Sequence, residues 1–178
     1  MTSAIRRATL ADAGRLAELA ARTFADTYGA FNDPADITAH IAAKYGEAKQ
    51  AAELRDPAAT YLVAEADGQL VGYAYLVADQ SPGGVVLDAP VELVRFYVAQ
   101  AWHGRGVAQA LMGACVETAR ARGGRTLCLG VWDQNPRAIA FYRKAGFAIV
   151  GSTSFDLGSQ HQTDHVMALP LDRAGVAR

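Results

Sequence analysis

Residues 91–112 constrain the fold more than any other part of the chain. The stretch is VELVRFYVAQAWHGRGVAQALM, and its first eight residues have the β-branched and aromatic character of a buried strand. Gly104 and Gly106 permit a turn that residues with a Cβ would resist, and from Val107 onward apolar residues recur at helical spacing. The stretch therefore predicts a strand, a glycine-rich turn and a helix.

The start of this helix is suited to an anion. The first N–H groups of a helix have no intrahelical partner and carry the positive end of the helix dipole, so they bind phosphate or pyrophosphate well. Dinucleotide folds and P-loops use the same arrangement, but the chain contains neither G-x-G-x-x-G nor G-x-x-x-x-G-K-S/T. The sequence thus predicts an anion site of a different type from nicotinamide or nucleoside triphosphate sites.

The turn resembles the acyl-CoA motif of the GCN5-related N-acetyltransferase (GNAT) family. That motif has Gln or Arg at its first position, Gly at its fourth and Gly or Ala at its sixth. His103, Gly106 and Ala108 occupy these positions here. Because His103 departs from the motif, the resemblance implies that acetyl-CoA is held by the backbone donors of the turn, which belong to Gly104, Arg105, Gly106, Val107 and Ala108. Arg105 is also a candidate partner for a CoA phosphate.

A second block, NPRAIAFYRKAGF, covers residues 135–147. Asn135 is predicted to cap a helix that begins at Pro136 and ends before Gly146. The block resembles the later motif of the same family, in which an Asn opens a short helix that carries a Tyr. The resemblance implies that Tyr142 is that tyrosine. Asn135 either contacts the pantetheine of CoA or only caps its helix.

The order of predicted strands and helices indicates an α/β protein with one mixed sheet and helices on both faces. Residues 1–171 are predicted to form one domain and residues 172–178 a frayed tail. A helix is predicted from Thr9 to about Arg22, and a loop at residues 158–162. The family resemblance adds that the strands at 91–98 and 125–131 splay apart and that acyl-CoA lies in the gap.

The composition excludes several classes of function. The chain has 178 residues, a net charge of −1 and no apolar run of transmembrane length, so we expect no nucleic-acid partner, no membrane partner and a cytoplasmic location. Cys115 and Cys128 are predicted to be buried free thiols. The four histidines lack metal-ligand spacing, so no metal site is expected. The oligomeric state is left open, a homodimer included.

The resemblance implies a reaction in which an amine attacks the thioester of acetyl-CoA directly. Backbone groups of Phe96, Tyr97 and Val98 would stabilise the oxyanion. Tyr142 would protonate the departing thiolate. Glu92, eleven residues before His103, is the candidate base. The alternatives are that another base or a water chain removes the proton, or that Glu92 is only a strand carboxylate paired with an arginine.

Beyond the two motifs, most of the chain resembles bacterial spermidine/spermine-type N-acetyltransferases. The matching pieces are IRRATLADAGRLAELAARTFADTYG, LGVWDQNPRAIAFYRKAGF and FDLGSQHQTDHVMALPL. A polyamine needs carboxylates near the thioester, and the candidates are Asp26, Asp33, Asp36, Glu92 and Asp164. The resemblance also assigns the acceptor pocket to the region between the first two helices, with Asp26, Tyr28, Asp33, Asp36 and His40. A protein N-terminus, a lysine or an amino-sugar amine remains an alternative acceptor, and a non-catalytic CoA-binding or CoA-sensing module is the alternative to an enzyme.

Overall fold

The computed structural model describes residues 3–158 and 160–171. The strands are β1 (Ala4–Arg7), β2 (Ala59–Ala66), β3 (Gln69–Ala78), β4 (Pro90–Val98), β5 (Thr126–Trp132), β6 (Ala148–Leu157) and β7 (Gln160–Pro170). The helices are α1 (Ala13–Tyr28), α2 (Pro34–Lys44), α3 (Glu47–Arg55), α4 (Val107–Ala121) and α5 (Pro136–Lys144). The tail predicted at residues 172–178 lies outside the described residues.

The seven strands form one sheet in the order β1-β2-β3-β4-β5-β7-β6. Neighbouring strands are antiparallel except β4 and β5, which run parallel. The prediction of an α/β fold with a mixed sheet is therefore confirmed. The last two strands do not lie in chain order, because β7 inserts between β5 and β6.

Each face of the sheet is covered by its own set of helices. On one face, Leu76 and Leu127 pack with Leu111 of α4 and Ile139 of α5. On the other face, strand tyrosines such as Tyr73 pack with residues of α1 and α2. Because consecutive strand residues point to opposite faces, this alternation creates two separate cores. We call the first the α4–α5 side and the second the α1–α3 side.

The parallel strands β4 and β5 separate soon after they meet. Their pairing covers only Pro90–Glu92 with Thr126–Cys128. Further along, β4 stays paired with β3 as far as Val98, and β5 stays paired with β7 as far as Trp132. The splay implied by the family resemblance is therefore present, and it opens a gap through the middle of the sheet.

A bulge and a buried ion pair shape β4 at the gap. Tyr75 pairs with Arg95 and Leu76 with Leu93, so Val94 is an extra residue on β4, and such bulges bend a strand and increase its twist. The guanidinium of Arg95 contacts Glu53 of α3 at 2.8 and 3.0 Å, and both side chains are 11% exposed. This pair ties β4 to the α1–α3 side beside the opening.

Two boundaries differ from the prediction. Helix α1 continues to Tyr28 instead of ending near Arg22, because Thr23 and Phe24 continue its buried face. The loop predicted at residues 158–162 is mostly strand, since β7 begins at Gln160 and pairs with Leu157. Local turn residues suggested a longer loop than the pairing of the two strands allows.

The two cysteines are buried, as predicted. Burial raises the pKa of the Cys128 thiol to about 12 and that of Cys115 even further above its ordinary value. Both thiols are therefore protonated at neutral pH, which suits packing and not nucleophilic chemistry.

The start of α1 is fixed by a buried carboxylate. Asp12 accepts hydrogen bonds of 2.8 Å from the Thr9 N–H and from both terminal nitrogens of Arg6. The side chain of Asp12 is 5% exposed, whereas that of Arg6 is 36% exposed. The Arg6 guanidinium holds the pKa of Asp12 well below its usual range.

We predict that Asp12→Asn lowers the free energy of unfolding by about 1–3 kcal/mol at pH 7, because buried hydrogen bonds to a charged group are lost. Asp12 binds a proton more weakly in the folded than in the unfolded protein, so its contribution is complete above the unfolded pKa of about 4 and is lost as the pH falls below it. Urea unfolding of both proteins at pH 7 and at about pH 3 checks this. An equal difference at the two values would contradict it.

Candidate active site

A cleft of about 440 Å³ occupies the gap between β4 and β5. It is open to both sides of the sheet. Its α4–α5 side is lined by His103, Ala108, Asn135, Phe141 and Tyr142, among others. Its α1–α3 side is lined by Thr23, Asp26, Tyr28, Phe31 and Trp132, among others. The gap therefore brings two chemically different surfaces together at one place.

The wall of the cleft along β4 presents backbone groups. Ala99 donates its N–H to the Val71 carbonyl of β3 at 2.9 Å. Because peptide groups in an antiparallel strand alternate in direction, those of Phe96 and Val98 point away from β3 and into the gap. Tyr97 lies between them and places its side chain on the α1–α3 side. The strand end predicted to supply oxyanion donors thus has backbone donors directed at the cleft.

His103 closes the turn that follows this strand. Its Nε2 lies 2.7 Å from the Val98 carbonyl oxygen, which can only accept, so Nε2 carries the hydrogen. The residue that departs from the family motif therefore binds the protein's own backbone through this nitrogen.

The glycines of the turn have the backbone conformation that the sequence predicts. Gly104 has φ 74° and Gly106 has φ 80°, in the left-handed region that favours glycine. Gly106 is the N-cap of α4, and no side chain caps this end of the helix. The N–H groups at the start of α4, including those of Val107 and Ala108, are therefore available to an anion.

Arg105 lies beside this helix start. Its guanidinium lies 5.3 Å from the centre of the Trp102 ring, in a cation–π contact. This contact holds a positive charge at the edge of the anion site.

Asn135 caps α5, as predicted. Its Oδ1 accepts a hydrogen bond of 3.1 Å from the Ala138 N–H, and Pro136 is the first helical residue. Asn135 also lines the cleft, so the cap places a polar side chain beside the gap.

Tyr142 forms part of the cleft wall on the α4–α5 side. Its ring packs edge-on against Phe96, Phe141 and Phe147, with centroids 5.5 to 6.2 Å apart. Burial raises the pKa of its hydroxyl well above the ordinary value. Tyr142 is therefore fully protonated at neutral pH, the state required of a proton donor.

Glu92 lies at the closed end of the gap, in the last paired position of β4 and β5. The cleft lining begins at the next residue, Leu93. One carboxylate oxygen of Glu92 is shielded from solvent and has no hydrogen-bond partner, and burial raises its pKa. Among the described residues, no arginine pairs with Glu92.

The predicted acceptor residues are distributed unevenly. Asp26 is exposed and lines the cleft. Asp33 caps α2 through a 2.7 Å hydrogen bond from Ala35, as expected of a helix cap, and Asp36 packs against Gly158. His40 stacks on Phe24 with the ring centroids 4.3 Å apart, within the α1–α3 core.

Sequence reasoning missed the aromatic wall on the α1–α3 side. Trp132 lies 5.5 Å from Phe31 and 5.9 Å from Tyr28, measured between ring centroids. Phe31 is 64% exposed, which is unusual for a large apolar side chain and is the kind of residue that marks a binding surface. In the sequence, the only indication of this aromatic wall is that Trp132 lies just before the Asn135 block.

The described parts of the chain contain no group of three or more His, Cys, Asp or Glu side chains that could hold a metal ion. None of the helices in residues 3–158 and 160–171 is long and apolar enough to cross a membrane.

Residues 18–147 match the model of the Acetyltransferase (GNAT) family. An uncharacterized N-acetyltransferase of Mycobacterium tuberculosis is 38% identical over 162 residues, which cover 91% of this chain and 99% of the relative. One from Lactobacillus delbrueckii subsp. lactis is 30% identical over 149 residues, which cover 84% of this chain and 86% of the relative.

Among solved structures, the PaiA N-acetyltransferase of Thermoplasma acidophilum in complex with coenzyme A has a TM-score of 0.78 and 24% identity, with 96% of this chain and 99% of that chain covered. YncA of Salmonella typhimurium with acetyl-CoA has a TM-score of 0.68 and 25% identity, with 100% and 99% covered.

We predict that Gly106→Val weakens binding of acetyl-CoA by about 10- to 100-fold, because a β-branched residue resists positive φ and the anion site would be displaced. Gly123→Val is the matched control, since Gly123 also has φ 80° with open space around its Cα but lies at the other end of α4. Isothermal titration calorimetry checks the affinity. Equal effects of the two substitutions would contradict a specific role for Gly106.

Proposed function

The chain belongs to the GNAT family of N-acetyltransferases, and we propose that it transfers the acetyl group of acetyl-CoA to a primary amine bound on the α1–α3 side of the gap. The observation that carries the proposal is the cleft through the sheet, which joins an anion site on one side to an acidic and aromatic surface on the other. A relative with 25% identity is known with acetyl-CoA bound, and its chain is covered almost completely.

In this proposal the CoA part is held on the α4–α5 side. The pyrophosphate lies at the free N–H groups of residues 104–108, with Arg105 beside it. The pantetheine follows the unpaired edge of β4, where the peptide groups of Phe96 and the N–H of Val98 supply hydrogen bonds, and Asn135 lies opposite. His103 acts by fixing the turn through the Val98 carbonyl, since its Nε2 hydrogen is already used.

The reaction makes three demands that the site can meet. The amine has to lose a proton, because an amine with a pKa near 10.4 is neutral in only about one molecule in a few thousand at pH 7. The oxyanion needs fixed donors, which the N–H groups of Phe96 and Val98 would supply, while the Tyr97 N–H faces β3. The thiolate needs a proton, and the protonated Tyr142 lies on the side where the sulfur would leave.

Glu92 remains the base that the sequence suggests. Its shielded carboxylate lacks a compensating cation, which favours the uptake of a proton from an incoming amine. Its position at the closed end of the gap, beyond the cleft lining, requires that the proton travel to it from the cleft, for example through water.

A polyamine such as spermidine or spermine is the acceptor that we propose in detail. The α1–α3 side has an exposed carboxylate at the cleft, Asp26, and a half-buried one on β7, Asp164, while Glu92 lies at the closed end. Carboxylates spaced along one surface suit a substrate with several ammonium groups. A protein N-terminus, a lysine or an amino sugar would use the same cleft with fewer of these contacts.

The experiment that tests the function measures thiol release from acetyl-CoA with spermidine, spermine, a lysine peptide and an aminoglycoside. Saturable release with the polyamines alone supports the detailed proposal. Preference for another amine keeps the acetyltransferase and discards the polyamine. Binding of acetyl-CoA without release for any amine would favour the CoA-binding module. The sequence left the oligomeric state open, a homodimer included, and sedimentation of the active enzyme measures it.

We predict that Tyr142→Phe lowers kcat by about 10²-fold or more while the affinity for acetyl-CoA changes by less than about twofold, because only the proton to the thiolate is lost. Tyr45→Phe is the control, since Tyr45 is a buried tyrosine of the α1–α3 core. Steady-state kinetics and calorimetry give the two quantities. Unchanged kcat in Tyr142→Phe would remove this residue from the acid's role.

A further inference from the structure

We infer that Asp164 receives the reacting amine of the acceptor and takes its proton, and that Gly130 lacks a side chain so that the amine can reach this carboxylate. The inference rests on the proposed function and names the group that acts on the acceptor. Four features of the structure carry it: the position of Gly130, the state of the Asp164 carboxylate, the aromatic wall, and the location relative to β4.

Gly130 lines the cleft and lies next to Asp164, which is not itself part of the cleft lining. Gly130 lies on β5 and is exposed, whereas the strand residues on either side of it are buried. A Cβ at this position would lie 3.3 Å from Asp164 Oδ2. Its φ is outside the left-handed region, so the backbone does not require glycine there. The absence of a side chain is therefore explained by the space that it leaves beside the carboxylate.

The Asp164 carboxylate lacks a partner of its own. It lies on β7, opposite Trp132 of β5, and its Oδ1 is shielded from solvent without a hydrogen-bond partner. Gln162, two residues earlier on the same face of β7, is buried, and its Oε1 is also unpartnered. Buried acceptors of this kind cost free energy unless a donor reaches them. An ammonium group supplies up to three donors and a positive charge.

The surroundings of Asp164 suit a cation as well. The rings of Tyr28, Phe31 and Trp132 form the wall next to it, and aromatic faces attract ammonium groups. No arginine or lysine pairs with Asp164 among the described ion pairs, so no side-chain cation of the protein occupies this place.

Asp164 and Glu92 lie at different positions along the gap, although neither is part of the cleft lining. If the parallel register of Glu92 with Cys128 continued, Val94 would lie opposite Gly130 and Phe96 opposite Trp132. Trp132, and with it Asp164 on β7, would thus lie level with Phe96, whose peptide group faces the gap, and Gly130 level with Val94. Glu92 lies before the strands separate, at the closed end.

The proton balance follows from this arrangement. The ammonium gives one proton to the Asp164 carboxylate, and the nitrogen lone pair forms the C–N bond to the thioester carbon. The C–S bond breaks with its electrons on sulfur, the nitrogen loses a second proton, and the thiolate gains one. The proton on Asp164 leaves to solvent, so the net products are the amide, CoA and one proton.

The local charges suit this role. Burial and, to a lesser extent, the nearby charge of Asp133 together raise the pKa of Asp164 to about 6, with His165 opposing the shift. Tyr28 is the titratable group of α1 that faces it. Because the base has to be ionised, kcat/KM should rise with pH through about 6. An acid limb at this pH is a signature that a purely structural residue would not produce.

We test the inference with Asp164→Asn, Gly130→Ala, Glu92→Gln, Asp133→Asn and Gly113→Ala, assayed with spermidine and the other three amines of the panel. Asp164→Asn is expected to lower kcat/KM for the amine by about 10²-fold and to abolish the acid limb, with affinity for acetyl-CoA unchanged. Gly130→Ala is expected to lower kcat/KM for the amine by about tenfold, because the added methyl group would displace the amine. Gly113→Ala, on α4 with open space around it, is the control for a glycine change.

Asp133→Asn provides a positional check. It removes one negative charge near Asp164, so the acid limb should move to lower pH while activity at pH 8 is kept. The inference is overturned if Asp164→Asn retains kcat/KM within about threefold and keeps the acid limb, or if Glu92→Gln abolishes that limb instead. Neither of these two results would overturn the proposed acetyltransferase activity. A wild-type protein that acetylates none of the four amines would overturn the proposed function and this inference together.

Discussion

The separation of β4 from β5 is the constraint on which the site depends. A parallel pair inside a sheet normally satisfies the backbone groups of both strands, yet here the pairing ends at Glu92 and Cys128. The peptide groups of Phe96 and the N–H of Val98 are left facing the gap, and buried backbone groups without partners are costly. The fold therefore holds open a strand edge that a ligand with an extended amide backbone can complete. The anion site, the acid and the acceptor surface are all arranged around this edge.

The gap stays open because each of the two strands is held by contacts with other parts of the fold outside the gap. Strand β4 is anchored on the α1–α3 side by the buried Arg95–Glu53 pair, with the Tyr61 hydroxyl 2.7 Å from Arg95. Breaking such a pair leaves a buried charge, which is strongly destabilising. Strand β5 is anchored by β7, which is paired with it from Thr126 to Trp132. The bulge at Val94 lies two residues beyond the last residue of β4 that pairs with β5, so the change in register coincides with the start of the opening.

Local signals made half of this site predictable. The turn at residues 104–106 and the Asn135 cap are each encoded by a few neighbouring residues, and both have the predicted geometry. The acceptor half depends on contacts between distant parts of the chain. Asp164 approaches Gly130 only because β7 inserts between β5 and β6, and Phe31 meets Trp132 only because α1 extends to Tyr28. Hydrophobic periodicity contains no information about either arrangement.

The two halves differ for a physical reason. Binding of a diphosphate uses backbone N–H groups at a helix start, which any sequence with the right turn provides, so this half is readable from a short motif. Selection of an amine uses side-chain carboxylates and aromatic rings, whose identities can change on an unchanged backbone. Wherever the acceptor base lies, it has to reach the same unpaired edge of β4 from the α1–α3 side. On the proposed function, the acceptor is therefore specified by the few side chains that border Gly130 and Trp132, and not by the motifs that identify the family.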